Sequence, residues 1–206
     1  MKKKSQPRFI NRELSWLDFN ARVLQEAAHR SVPLLDRLRF IGIFSNNLDE
    51  FFQVRYATVQ RIAQSEKTGK KVFGGESASE LLKMITQKVI EQQKESTEIL
   101  IGIEKELEKE KIYFVNENQV LDEHKAFLKE YFIQKVSPAL MTIMISEKRD
   151  QDFSDNQAFL AVKLSIDSRD TKRNQFALIE IPKELDRFIL LPQLGNKQYV
   201  MFLDDL

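Results

Sequence analysis

The chain has 206 residues, of which 42% are apolar and 31% are charged, and it contains no cysteine. This composition is typical of a globular protein, and it excludes a disordered or disulfide-stapled chain, a thiolate metal site and a cysteine nucleophile. Residues 1–75 are basic, with 14 Lys and Arg against 7 Asp and Glu, and the remainder is acidic. A basic surface suits an anionic partner, but a solvated basic tail explains the same charge more simply.

The first predicted helix runs from Ser15 to about His29. Ser15 has a hydroxyl that can cap a helix, and Asp18 follows it at the spacing of a capping box. Apolar residues recur every three or four positions, so one broad face that includes Trp16 and Phe19 is expected to be buried.

Two further helices and a loop are predicted next. After the interruption at Pro33, apolar residues at helical spacing predict a helix over residues 34–44. Asn47, with a glutamate three residues later, predicts the N-cap of a third helix that ends near Ser65. Residues 66–76 contain glycines and lysines but few apolar side chains, and are expected to form a loop.

The fourth predicted helix is long. Ser77 and Glu80 match a capping box, and from there to about Lys111 only Gly102 interrupts strongly helix-forming residues. The apolar residues keep a helical period with a polar gap over residues 91–98. Part of this helix is therefore expected to protrude from its bundle.

Beyond residue 111 the pattern changes to short strands around one further helix. The predicted elements are a short strand or extended link over 112–115, a helix over 120–136, a hairpin pairing 159–166 with 175–181, and a hairpin pairing 188–191 with 199–203. The sequence thus predicts an α+β fold, mainly α, with a helical N-terminal domain over 1–111 and a partial α+β domain over 112–206. The second domain is expected to be truncated, because the chain stops without a closing element.

The sequence carries few signs of a catalytic site. There is no Gly-rich phosphate loop, nucleophile elbow or HExxH zinc motif. The two histidines, His29 and His124, are predicted to be surface residues, since neither has a partner at a catalytic or metal-ligand spacing. Asp49 and Glu50 are adjacent and cannot face each other on a helix, so they are interpreted as helix-dipole partners. Residues 70–75 suit a phosphate cradle, but a mobile loop is the simpler interpretation.

No apolar run approaches the roughly 20 residues that span a bilayer. The first residues, MKKKSQPRF, are basic but lack the apolar stretch of a secretion signal. These features predict a cytoplasmic protein, with peripheral association at a membrane as the alternative. Nucleic-acid binding is not expected, because the second half is acidic and basic residues do not alternate with aromatic ones.

Several sequence blocks resemble a known family. The strongest are FINRELSWLDFN over 9–20, RVLQEAA over 22–28, PLL over 33–35 and FIGIFSNNLDEFFQVR over 40–55. Together they closely resemble the N-terminal domain of bacterial polyphosphate kinase. The later segments VNE over 115–117 and ALIEIP over 177–182 resemble the beginning of that family's head domain.

This resemblance implies an enzyme that reversibly transfers the terminal phosphate of ATP to inorganic polyphosphate, through a phosphohistidine and with Mg2+. It also implies a homo-oligomer that binds ATP, ADP and polyphosphate. In the family, the phosphorylated histidines and the metal ligands lie in C-terminal domains. Neither a catalytic residue nor a metal ligand is therefore expected in this chain, which is predicted to be inactive alone. The resemblance assigns ATP binding to Asn47, the second asparagine of the SNNLDEF block.

The residues alone leave two interpretations of Asn47 open. Its position predicts a helix cap, whereas the resemblance predicts an ATP contact. One amide can serve both roles if its oxygen caps while its N–H faces the ligand. The alternative function for the chain is a helical assembly module, in which the apolar face of the long helix meets another copy or another domain without any nucleotide contact.

Overall fold

The structure is a computed structural model that describes residues 10–65, 76–145, 158–168 and 171–206. It divides into two compact units, residues 1–110 and residues 111–206. The first unit is helical, and the second combines a helix with two small sheets. The predicted fold class, α+β and mainly α, is therefore confirmed. The predicted phosphate-cradle segment, residues 70–75, lies outside the described residues.

Helix α1 covers Arg12–Ala28 and begins about one turn earlier than predicted. Its N-cap is Asn11, whose side-chain oxygen accepts hydrogen bonds from the backbone N–H groups of Glu13 and Leu14. Ser15 thus lies inside the helix, and its prediction as the cap was wrong. The amide oxygen of Asn11 already satisfies two of the free N–H groups that a helix start must cap.

Helix α2 covers Leu34–Glu50 and does not break before Asn47. It continues into a π-helical turn over Phe51–Tyr56 and then into helix α3 over Ala57–Ser65. Asn47 is therefore an interior helical residue, and its prediction as an N-cap was wrong.

Burial explains why the helix continues through a segment that is rich in capping residues. Phe44, Leu48 and Phe51 are all buried, at spacings of four and three residues. A continuous helix places the three side chains on one face toward the core, whereas a break at the asparagines would separate them. Tertiary packing here outweighs local capping preference.

Helix α4 covers Ala78–Lys109 and begins with the predicted capping box between Ser77 and Glu80. It packs on α1, α2 and α3 and completes the predicted bundle. The predicted polar gap is not wholly exposed, because Gln92 is 5% exposed and donates to the carbonyl of Leu17. The bundle core consists of Leu17, Leu24, Phe44, Leu48, Phe51, Val59, Ala78, Leu81, Ile85 and Val89.

One sheet of the second unit has the order β1–β6–β5. Strand β1 (Ile112–Phe114) pairs in parallel with β6 (Lys197–Phe202), and β6 pairs antiparallel with β5 (Phe188–Leu194). The predicted hairpin of β5 and β6 is confirmed. Gly195 turns it with a φ of +62°, a left-handed conformation that favours glycine.

The other sheet has the order β2–β4–β3 and is antiparallel. Strands β3 (Phe159–Ser168) and β4 (Thr171–Glu180) form the predicted hairpin. Strand β2 (Met141–Ile145) was not predicted. Its sequence, MTIMI, is largely exposed and lacks the alternation of apolar and polar residues that indicates a strand with one buried face.

Helix α5 covers Asp122–Tyr131 and continues through a second π-helical turn over Phe132–Val136. His124 on this helix is fully buried, and its Nε2 donates to the carbonyl of Pro192 at 3.0 Å. The prediction that His124 lies on the surface was wrong: the ring is buried, and a carbonyl distant in sequence accepts a hydrogen bond from Nε2. His29 is exposed, as predicted.

The second unit has its own core, in which α5 packs on β5. Its buried members are Leu128, Val136, Ile181, Ile189, Leu191, Tyr199, Met201 and Leu203. Among the described residues, no helix is long and apolar enough to cross a membrane.

Candidate functional site

The helical unit contains a cavity of about 450 Å³ between α1, the end of α2 and the π-helical turn that follows it. Its lining combines charged groups, aromatic rings and one amide, including Arg12, Glu13, Trp16, Phe19, Asn47 and Arg55. Phe19 was predicted to be buried, but it is 48% exposed at this cavity. Convergence of polar and aromatic groups on one concave surface is typical of a ligand site.

Glu13 organises the charges at the cavity. This residue is only 4% exposed. Its Oε1 accepts hydrogen bonds from the Arg12 guanidinium at 2.9 and 3.0 Å, and its Oε2 accepts one from Arg55 at 3.1 Å. Two positive charges thus share one buried negative charge, so the cluster of three residues carries a net positive charge. Glu50, exposed at the same cavity, adds a separate carboxylate.

Aromatic contacts hold the Arg55 side chain in place. Its guanidinium carbon lies 5.8 Å from the centroid of the Trp16 ring, within the range of a cation–π contact. Trp16 in turn stacks on Phe51, with ring centroids 5.0 Å apart. Arg55 is thus bounded by the Glu13 carboxylate and by an indole ring, and its side chain remains 32% exposed.

Asn47 presents a free polar edge at the cavity. One N–H of its half-buried amide donates to Oδ1 of Asn20 at 3.0 Å. Asn20 in turn donates through Nδ2 to the backbone carbonyl of Phe44 at 3.1 Å. Within the part of the chain that the structure describes, the side-chain oxygen and the second N–H of Asn47 have no hydrogen-bond partner. Asn47 therefore has one donor and one acceptor available for a ligand.

The π-helical turn aligns the residues that line the cavity. In this turn the N–H of Ala57 bonds to the carbonyl of Phe52, five residues back rather than four. Four residues overshoot a full turn of an α-helix by about 40° but fall short of a full turn of the wider π-helix, so the offsets from Asn47 to Phe51 and from Phe51 to Arg55 partly cancel. Asn47, Phe51 and Arg55 follow one another at spacings of four and all line the cavity.

Asn47, the one residue predicted to bind ATP, lines the cavity, and the other candidate residues considered in the sequence meet there only in part. Asn47 and Glu50 line the cavity, whereas Asp49 does not. The interpretation of Asp49 and Glu50 as partners of a helix N-terminus was wrong, since the helix continues through them. His29 lies at the end of α1 and bonds to Ser31, away from the cavity.

The residues that the structure describes contain no cluster of metal-ligating side chains. Among them, no group of three or more histidines and carboxylates is placed to hold a metal ion. A site that holds Mg2+ through three or more protein carboxylates is therefore absent from the part of the chain that the structure describes.

Sequence reasoning missed Glu13 and Asn20, although a signal for both was present. The buried stripe of α1 consists of residues 13, 17, 20, 24 and 27, at alternating spacings of four and three. Leu17, Leu24 and Ala27 fill three of these positions, and the other two are polar. A polar residue in phase with an apolar stripe indicates a buried group with a specific partner.

Comparison with known proteins identifies the family. The sequence model of the polyphosphate kinase N-terminal domain matches residues 9–115, and that of the polyphosphate kinase middle domain matches residues 123–206. The chain belongs to the polyphosphate kinase family. The resemblance found in the sequence blocks is confirmed.

The relatives of this chain are much longer than the chain itself. The polyphosphate kinase of Vibrio parahaemolyticus is 37% identical over 204 residues, which cover 96% of this chain and 28% of the relative. That of Escherichia coli K12 is 39% identical over 188 residues, which cover 89% of this chain and 26% of the relative. The crystal structure of polyphosphate kinase from Porphyromonas gingivalis matches with a TM-score of 0.81 and 31% identity, over 98% of this chain and 30% of that one.

Proposed function

We propose that this chain contributes to the ATP site of a polyphosphate kinase, an enzyme that reversibly transfers the terminal phosphate of ATP to inorganic polyphosphate. Family membership supports the reaction, and the cavity beside Asn47 supports the role of the chain. The proposal assigns the phosphohistidine and Mg2+ to other regions of the kinase, and the chain alone is inactive. Phosphate transfer by the purified 206-residue chain would contradict the proposal that the chain alone is inactive.

The observation that carries the proposal is the free edge of the Asn47 amide. Its oxygen and its second N–H, unpartnered among the described residues, lie at a cavity lined by Arg12 and Arg55. A nucleotide offers matching groups, because its phosphate and ribose oxygens accept hydrogen bonds and its base both donates and accepts.

The surroundings of Asn47 suit the rest of a nucleotide. The cluster of Arg12, Glu13 and Arg55 is net positive and attracts a polyanion, although the Glu50 carboxylate opposes this in part. Phe19 and Trp16 offer aromatic surface against which a base can pack. A volume of about 450 Å³ lies within the range of small-molecule sites.

The variant Asn47→Asp in the intact kinase tests the proposal. The change replaces an N–H donor with a carboxylate oxygen and adds a negative charge beside the phosphates of ATP. We expect kcat/KM for ATP to fall about tenfold or more, which corresponds to the loss of one charge-sensitive hydrogen bond. Wild-type ATP kinetics in this variant would contradict the proposal.

Two further variants separate ligand contact from stability. Asn47→Ala, like Asn47→Asp, breaks the hydrogen bond to Asn20, so each of the two variants should lower the free energy of unfolding by about 1 kcal/mol. Unlike Asn47→Asp, Asn47→Ala adds no charge. Asn46→Asp adds the same charge at an exposed neighbour that does not line the cavity. Its kcat/KM for ATP should stay within about twofold of wild type, since exposed charges are screened by salt.

The alternative function, an assembly module, has one observation in its favour. Ile90 and Ile101 on α4 are 56% and 45% exposed. They lie eleven residues apart, about three helical turns, and therefore share one face. If this face binds a second copy, Ile101→Lys should convert a dimer to a monomer in light scattering. If assembly is the only role of the chain, Asn47→Asp should also leave ATP kinetics unchanged.

A further inference from the structure

Asn20 occupies a position where the helix would otherwise bury an apolar side chain. It lies on the buried stripe of α1 between Leu17 and Leu24 and is 0% exposed. Burying an amide is unfavourable unless its groups are hydrogen-bonded. Both ends of the Asn20 amide are bonded, one to the Phe44 carbonyl and the other to Asn47. Asn20 does not line the cavity itself.

These two hydrogen bonds fix the direction of the Asn47 amide. The Phe44 carbonyl only accepts, so Asn20 must turn its NH2 group toward it. Oδ1 of Asn20 then faces Asn47, and because that oxygen also only accepts, Asn47 must turn its own NH2 group inward. The Asn47 oxygen and one N–H are left at the cavity in a single orientation. A backbone carbonyl thus determines, through two side chains, which polar groups meet a ligand.

We infer that Asn20 is a positioning residue for nucleotide recognition, acting through Asn47. This inference rests on the proposed function, in which Asn47 contacts ATP. Without Asn20, the Asn47 amide is free to rotate or to flip, and the ligand must order it on binding. A preoriented amide binds more tightly because that ordering is already complete.

The variant Asn20→Leu in the intact kinase removes both hydrogen bonds and keeps the site filled with a side chain of similar size. We expect KM for ATP to rise about fivefold, the effect of one ordinary hydrogen bond, while kcat changes by less than about twofold. KM for polyphosphate should not change. A residue that only stabilised the bundle would shift the melting temperature without this split between the kinetic constants.

A double-mutant cycle with Asn47→Ala is the decisive measurement. If Asn20 acts through Asn47, replacing Asn20 in an Asn47→Ala background should change KM for ATP by less than about 1.5-fold. If the changes in KM for ATP caused by the two single replacements multiply in the double variant instead, the inference is wrong. If Asn47→Ala itself leaves ATP kinetics unchanged, the proposed function fails first, so the two failures are distinguishable.

Gln92→Leu is the matched control. Gln92 is also a buried amide of this bundle, and it donates to the carbonyl of Leu17 without touching Asn47. Gln92→Leu should leave KM for ATP at the wild-type value. An equal rise of KM for ATP in Gln92→Leu and Asn20→Leu would overturn the inference. Asn20→Ala, which leaves space rather than a branched side chain, replaces Asn20→Leu in the cycle if the leucine variant does not fold.

Discussion

His124 packs inside the second unit, with its ring centroid 4.8 Å from that of Tyr199. Its Nε2 donates to the carbonyl of Pro192, so Nε2 carries the proton, and Nδ1 is buried without a partner among the described residues. The imidazole therefore satisfies one backbone acceptor and fills space. Removing it would leave both a cavity and an unpaired buried carbonyl.

The two histidines make a matched pair for a stability measurement. His124→Ala should lower the free energy of unfolding by about 3 kcal/mol, because a cavity and an orphaned carbonyl add. His29 is exposed, and His29→Ala should change it by less than about 0.5 kcal/mol. Urea unfolding of the 206-residue chain measures the free energy of unfolding of both variants. Equal losses in His124→Ala and His29→Ala would contradict the packing role of His124.

Glu104, near the end of α4, gives a pH dependence of known sign. Partial burial and, to a lesser extent, repulsion from Glu108 raise the pKa of its carboxyl above the ordinary value. The folded state then binds its proton more tightly than the unfolded state, so ionisation of Glu104 lowers stability as pH rises. Glu104→Gln should raise Tm at pH 7 and leave it unchanged near pH 3, where both states are protonated. Glu95→Gln, exposed on the same helix, should show no difference at either pH.

The candidate site was found in the sequence only through the family blocks. Residue patterns suggested a cap at Asn47, and they gave no reason to connect Glu13 with Arg55 or Asn20 with Asn47. These pairs lie 42 and 27 residues apart and become neighbours only when α1 packs beside α2 and the π-helical turn that follows it. Local propensity carries no information about such partners, whereas the phase of a polar residue within an apolar stripe does indicate that a partner exists.

Helices were predicted well where their signals are local. The capping box of α4 lies within four residues and is formed as predicted. The continuous helix through Asn47 was missed, because its cause is the burial of Phe44, Leu48 and Phe51 against other helices. The hairpins were predicted, but the parallel pairing of Ile112 with Gln198 joins segments more than eighty residues apart. Local patterns cannot show such a pairing.

The start of α4 offers a clean measurement of one cap. The Ser77 hydroxyl accepts from the N–H of Glu80, so Ser77→Ala should lower stability by about 1 kcal/mol. Ser79 lies two residues further, exposed in the first turn of the same helix. Ser79→Ala should be neutral or slightly stabilising, because alanine is the better helix former. Thermal melts of the two variants compare them directly, and a loss of similar size in both would refute the capping role.

At the scale of the whole molecule, the two units differ in how much apolar surface they leave exposed. The sheet β2–β4–β3 exposes large apolar side chains on both faces: Met144 and Leu160 on one, and Ile145 and Phe176 on the other. The helical unit encloses one core between its helices, and its exposed large apolar side chains, including Leu35, Val54 and Ile90, lie on separate helical segments. Contiguous exposed apolar surface favours association.

The domain boundary near residue 111 stays a prediction, and the two fragments on either side of it test it. Residues 1–110 produced alone should be soluble, strongly helical by circular dichroism and cooperative on heating, because all members of the bundle core lie within them. Residues 111–206 make the matched comparison and should associate at concentrations where the helical fragment stays monomeric. An unfolded 1–110 fragment, together with a single melting transition for the 206-residue chain, would show that the bundle depends on the second unit and that the boundary is wrong.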